Sequence, residues 1–191
     1  MQMKRNGFDE DVEVVEKASK GDVLAFKKLY ESNKGRIYNY ALRMTNDRDA
    51  ANEITQEIFV KAYRHLKRLR KKDSFKSWLM AIAVNFTKDF LKYKRRKGEI
   101  FDDNKRLQQI DNFESNESPE SLFLENEMKD AVIKSLSMLK PFHREIIVLY
   151  YIEGFSIKEI ASIISVSEGT VKSRLSRARE EISKELRRLG F

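Results

Sequence analysis

Apolar side chains recur along this chain at three- and four-residue intervals, never in the strict alternation that marks a half-buried strand. A first short helix is predicted over Asp9 to Lys20, with Val12, Val15 and Ala18 on one face. Gly21 and Asp22 break it and cap a second helix, whose apolar face is Phe26, Leu29, Tyr30, Ile37, Tyr38, Ala41 and Leu42. Asn46 and Asp47 make a turn. Ala51, Ile54, Ile58, Ala62, Tyr63 and Leu66 then draw a stripe that continues to Leu69. Beyond the basic Arg70-Lys71-Lys72, either Asp73 or Ser74 can cap a helix carrying Trp78, Leu79, Ile82, Phe86 and Phe90. Trp78 shares its stripe with Ile82 and so reads as core rather than as a stacking platform.

The periodicity fades from Gly98 to Glu120, where the composition turns polar, acidic and rich in Asn and Ser, as expected of a linker. Ser118-Pro119 restarts helix with a cap and a proline at the first helical position. The next helix runs through Leu122, Met128, Val132, Leu136 and Leu139, and Pro141 opens another over Phe142 to Ile152 that stops at Gly154. Two more fit Ile157 to Ile164 and Glu168 to Leu189. With only two prolines and seven glycines, the expected fold class is all-α. Two small helical domains, 8–97 and 120–189, are joined by a flexible acidic linker at 98–119.

The sharpest local pattern begins at Phe155. Ser156 and Glu159 have capping-box spacing, and Ser167 with Thr170 starts a second helix after a very short turn. Ile160, Ala161, Ile164, Val166, Val171 and Leu175 fall where two steeply crossing helices bury apolar side chains, and small Ala161 permits close approach. This is a helix-turn-helix pattern, whose second helix enters the major groove. With Val171, Leu175, Ala178 and Ile182 inward, Lys172, Ser173, Ser176 and Arg177 project outward, where lysine or arginine can read guanine edges. Glu168, Gly169 and Thr170 lie at the helix N-terminus, whose backbone amides favour phosphate. The turn position that glycine often fills is Ser165, which implies slight strain.

Charge points the same way. The net charge is +8, but residues 61–97 alone hold fourteen basic and two acidic side chains, a local +12. A folded segment so charged usually meets an anionic partner, nucleic acid or a membrane surface, the alternative being a merely solvated face. The longest apolar runs, Leu79 to Val84 and Ile146 to Ile152, are far short of the roughly 20 residues of a membrane span. The N-terminal residues lack the apolar core of a signal peptide. The absence of cysteine removes disulfides and thiolate metal sites. A cytoplasmic protein is expected. No glycine-rich phosphate loop occurs, and His65 and His143 are isolated in sequence, with no carboxylate–histidine cluster at metal spacing. No catalytic residue, metal, cofactor or small-molecule substrate is therefore expected.

Two further stretches carry a resemblance. Asp49-Ala50-Ala51-Asn52-Glu53-Ile54-Thr55-Gln56-Glu57-Ile58-Phe59-Val60-Lys61-Ala62-Tyr63 and Ser74-Phe75-Lys76-Ser77-Trp78-Leu79-Met80-Ala81-Ile82-Ala83-Val84-Asn85 resemble the extracytoplasmic-function (ECF) group of the sigma-70 family. So does the run from Gly154 to Arg179, including Gly169-Thr170-Val171-Lys172-Ser173-Arg174-Leu175. The resemblance covers about residues 8–97 and 120–188, in the family's order. It implies a sigma factor that binds core RNA polymerase and directs promoter-specific initiation.

The resemblance also assigns roles. The helix over Asp49 to Leu66 would dock on the polymerase's largest subunit through Glu53, Gln56 and Glu57; on periodicity alone these are solvated helix charges. The next segment would capture the unpaired non-template strand of the minus-ten element. His65, Leu69, Ile82 and Asn85 match base-pocket positions, and Arg68, Arg70, Lys71, Lys72 and Lys76 make a phosphate track. Lys88, Lys92, Lys94, Arg95 and Arg96 would meet upstream duplex phosphates. Gly169, Thr170, Lys172, Ser173, Ser176 and Arg177 would read the minus-thirty-five duplex. The family often has a glycine-bearing loop after an aromatic here, whereas Leu69 to Asp73 has neither. An anti-sigma partner is expected from the group alone. The rival reading is a helix-turn-helix response regulator, which would need an α/β receiver domain where residues 1–97 show no strand.

Overall fold

The computed structural model of the chain describes residues 12–98, 135–188 and 190. The predicted linker beyond Gly98, the start of the first helix and the helix stretch from Leu122 to Val132 lie outside the described residues. Among the described residues there is no strand. The N-terminal half consists of α1 (Val12–Ser19), α2 (Val23–Thr45), α3 (Arg48–His65) and α4 (Phe75–Arg96), with 3₁₀ turns at Leu66–Arg68 and Lys72–Ser74.

Their boundaries follow from local chemistry. Asp22 accepts a hydrogen bond from the Ala25 amide at 3.0 Å and starts α2. Asn46 closes it in the left-handed conformation at φ +53°, which asparagine tolerates better than most residues. Asp47 then accepts from the Asp49 and Ala50 amides at 3.0 and 3.2 Å to start α3. Neither expected cap serves α4: the Ser74 hydroxyl donates to the Lys71 carbonyl at 2.6 Å instead. The helix grows out of the tightened turn before it.

Ile37, Tyr40 and Ala41 of α2, Ile54, Ile58 and Ala62 of α3, and Leu79, Met80 and Ala83 of α4 make the core, with Leu66 and Leu69 closing one end. Two expectations fail at the margins. Val12 is exposed, and so is Tyr63, whose ring packs edge-on against Phe26 at 4.9 Å between centroids. Tyr40, absent from the predicted face of α2, is fully buried. α2 is covered by α1, α3, α4 and by the C-terminal half, so its buried surface is wider than one stripe. Polar Asn33, Thr45 and Thr55 are tolerated inside because each bonds the carbonyl one turn back, at 2.8, 2.8 and 2.6 Å.

In the C-terminal half, residues 135–138 are helical, followed by α5 (Pro141–Ile147), a π-helical turn (Val148–Ile152), α6 (Ile157–Ile163) and α7 (Glu168–Arg188). The stretch predicted as one helix from Phe142 to Ile152 thus widens at Val148 before Gly154, at φ +71°, ends it. His143, isolated in sequence, is not isolated in space. It is buried, with Nδ1 2.9 Å from Glu181 Oε2, and ties α5 to α7. The two halves pack on each other: α5 meets α2, and α6 meets α4.

Candidate nucleic-acid and polymerase interfaces

The helix-turn-helix is built as its spacing requires. Ser156 Oγ accepts from the Glu159 amide at 3.3 Å, while Glu159 Oε2 accepts from the Ser156 amide at 2.8 Å, closing the capping box. Ser165 makes the turn at φ +55°, the left-handed conformation that glycine adopts without strain. Ser167 Oγ accepts from the Thr170 amide at 3.1 Å and starts α7. Ile160, Ala161, Ile164, Val171, Leu175 and Ala178 are buried, as is Ile163, which the pattern missed. That anchoring leaves Gly169, Lys172, Ser173, Ser176 and Arg177 exposed on one side of α7, with Thr170 half-buried beside them.

Arg174 does not join this face. Its guanidinium lies over the Phe142 ring at 5.6 Å and, with the His143–Glu181 contact, braces α7 against α5.

On α3, Glu53, Gln56 and Glu57 are exposed opposite buried Ile54 and Ile58. These three acceptor-bearing side chains share an exposed face with Val60, which is 42% exposed. His65 is exposed at the C-terminal end of the same helix. In the loop that follows, Arg68, Arg70 and Lys71 are exposed. Lys72 turns back, its Nζ donating to the Leu69 carbonyl at 2.6 Å. The Leu69 side chain is buried, so it props the loop rather than facing a base. Ile82 is half-buried against the core, and Asn85, one turn on, is exposed. Trp78 is half-buried beside Phe75, with centroids 5.8 Å apart, which agrees with a packing role.

Asn85, Lys88, Lys92, Arg95 and Arg96 form one exposed strip along α4. At 1.5 Å per residue it spans about 16 Å, so an amide-bearing end runs continuously into a cationic one. Lys94 leaves the strip to lie over Phe90 at 5.6 Å. The strip and the exposed loop cations can hold a polyanion, and the α7 face can enter a major groove.

Residues 29–97 match the model for Sigma-70 region 2, and residues 129–182 that for Sigma-70, region 4. The RNA polymerase sigma-H factor of Pseudomonas aeruginosa is 32% identical over 191 residues, covering 95% of this chain and 96% of that protein. The ECF RNA polymerase sigma-E factor of Escherichia coli K12 is 34% identical over 189 residues, covering 94% and 95%. Among solved structures, the sigma factor RpoE in complex with the anti-sigma factor NepR, from Bartonella quintana, is similar with a TM-score of 0.64 and 25% identity. That match covers 86% of this chain and 98% of that one. CnrH, solved with the cytosolic domain of CnrY, shares the fold with a TM-score of 0.65 and 24% identity, over 92% and 96% of the two chains.

The chain belongs to the sigma-70 family. Within it, this is an ECF sigma factor that directs promoter-specific initiation, and its relatives are initiation factors rather than enzymes. No helix among the described residues is long and apolar enough to cross a membrane.

Proposed function

We propose that this chain divides its work between domains at 8–97 and 120–189, separated by a linker at 98–119. It acts in the cytoplasm, where core polymerase and DNA meet, with no catalysis, cofactor or metal of its own. Glu53, Gln56 and Glu57 dock on core polymerase. His65, Ile82 and Asn85 accept unstacked minus-ten bases on a loop held by Leu69 and Lys72, with Arg70 and Lys71 on the backbone. Lys88, Lys92, Arg95 and Arg96 follow the adjoining duplex. Gly169, Thr170, Lys172, Ser173, Ser176 and Arg177 read the minus-thirty-five duplex. An anti-sigma protein is the expected antagonist, because a similar sigma factor has been solved with one.

The observation that carries this reading is the joining of a correctly capped helix-turn-helix to a basic α4 strip in one chain. The test is reconstitution with core polymerase on genomic fragments, followed by mapping of transcript starts. Discrete starts with shared upstream elements are expected. Tight DNA binding without polymerase and without specific transcripts would favour the regulator reading.

Residue roles separate in the same assay. Arg177→Ala is expected to cost about 1–3 kcal/mol of discrimination, roughly a five- to 150-fold loss at one upstream base pair. Arg177 is exposed, so folding stability stays within about 0.5 kcal/mol. Asn85→Ala is expected to leave duplex binding intact and slow opening. A pre-melted template should rescue Asn85→Ala but not Arg177→Ala.

A further inference from the structure

The loop between α3 and α4, residues 66–74, contains neither glycine nor proline. It turns the chain by bonding to itself and by leaning on α1. The Leu69 amide donates to the Leu66 carbonyl at 3.0 Å and the Ser74 amide to the Lys71 carbonyl at 3.2 Å, closing the two 3₁₀ turns. Lys72 Nζ donates to the Leu69 carbonyl at 2.6 Å and so links one turn to the other. α1 packs against both turns. Val15 and Ala18, on its inner face, are buried in the same core as Leu66 and Leu69. Glu16, on its outer side, feels the loop as well. Its carboxyl lies below its ordinary value, first through the bond and charge of Lys20 and then, against desolvation, through the charge of Lys72.

No residue of α1 has a part in the proposed DNA or polymerase surfaces, and α1 lies outside the stretch that matches Sigma-70 region 2, which begins at residue 29. We propose that α1 is a backstop for the minus-ten loop. Val15 is a positioning residue that supports the loop from behind, and Lys72 ties its two turns together. His65, Arg70 and Lys71 are thereby held in place before DNA arrives.

Two physical arguments favour a loop built in advance. Arg68, Arg70 and Lys71 are exposed within four residues, and like charges so close repel one another unless the backbone beneath them is fixed. A loop ordered only on binding would subtract its conformational entropy from the affinity for every strand. It could also move aside for a wrong base, whereas a fixed loop cannot.

The proposal rests on the assignment of this loop to minus-ten DNA, so its first readout needs no DNA. In the free full chain, Val15→Ala should speed amide hydrogen exchange at Leu69 and Ser74 about tenfold and leave the Ile54 and Ile58 amides of α3 unchanged. Val12→Ala truncates the same residue type at an exposed position of the same helix and should change neither.

The second readout uses holoenzyme on a forked template. Its unpaired non-template strand carries the minus-ten element of a mapped transcript start, with each base replaced in turn. Val15→Ala should lower discrimination among those bases about tenfold. Discrimination at the minus-thirty-five duplex and the slope of log affinity against log salt should stay as in the parent. Lys72→Met should behave the same way. A lysine bound to phosphate would instead weaken all strands alike and lower the slope by about 0.7.

Unchanged exchange at Leu69 and Ser74 in Val15→Ala, or exchange raised equally at Ile54 and Ile58, overturns the backstop. Faster local exchange with minus-ten discrimination intact overturns the positioning role. A parent holoenzyme that does not distinguish minus-ten bases sinks the functional reading, while the exchange result still decides whether α1 holds the loop. If circular dichroism shows that Val15→Ala fails to fold, Glu16→Lys, at an exposed position, brings a like charge toward Lys72 and is judged by the same readouts.

Discussion

Leu175→Ala is expected to destroy minus-thirty-five recognition by unfolding the element that carries it, without touching any residue that faces DNA. Leu175 is 2% exposed, on the inner side of α7 with Val171 and Ala178, and packs in the same core as Ile160 and Ala161. Truncating a buried leucine to alanine costs about 2–5 kcal/mol, the transfer term plus the cavity left behind. A small domain holds only about 5–15 kcal/mol of stability, and this half is at the small end. Calorimetry on the full chain should show a transition moved down by about 10 °C or more, with upstream-duplex binding lost in parallel. Arg177→Ala makes the contrast: duplex discrimination falls and the transition stays. A Leu175→Ala chain that melts like the parent would show that the recognition helix is not held by this core.

Most of the fold was legible because helical periodicity and capping are local. The capping box at Ser156 and Glu159, the turn at Ser165, the break at Asn46-Asp47 and the inward set Val171, Leu175 and Ala178 each depend on residues within one or two turns, and each stands where the spacing put it. The π turn at Val148 was not legible, because a one-residue change of pitch leaves an apolar run looking the same. Nor was the burial of Tyr40, whose neighbours Glu145 and Glu153 lie more than a hundred residues away. The sequence does carry one signal of it: the charged pair Arg144-Glu145 interrupts a helix that is otherwise nearly all apolar. Charges in such a position are either exposed on the one free side or paired with something outside the helix. The pattern could say that a partner was needed, and only the tertiary packing names them: Lys88 and Tyr40 for Glu145, and the Leu136, Ser137 and Met44 carbonyls for Arg144. The candidate DNA residues divide likewise: exposure of Lys172 to Arg177 follows from periodicity, whereas the engagement of Lys76 and Lys88 by the other half does not.

Glu145 is the place where the contact between the two halves should respond to pH. Burial is the leading influence and pushes its carboxyl above the usual value of 4.5; Lys88 of α4, Arg174 of α7 and the Tyr40 phenol of α2 pull the other way without cancelling it. Tyr40 Oη and both Glu145 carboxylate oxygens lack an aligned hydrogen bond, although Lys88 Nζ is 3.1 Å from Oε2. Tyr40 in turn is held well above its ordinary range, first by burial and then by the charges of Glu145 and Glu153, so it stays neutral throughout. A carboxyl whose value is raised by the contact takes up a proton as the contact forms. The contact is therefore fully supported below about pH 4.5 and loses that support as pH rises through the raised value. Glu145→Gln removes the charge while keeping the shape. Lys88 is 46% exposed and water can solvate it, so losing its partner costs little. The variant is expected to hold the contact between the halves more tightly than the parent at a pH above the raised value, because it keeps the shape and carries no charge to desolvate. It should also show a flatter pH profile of the distance between the halves than the parent, in which the support is lost as pH rises through the raised value. A variant that loosens instead would show that the charge attracts Lys88 more than burial penalises it, and that Glu145 is a clasp rather than the strained member of the interface.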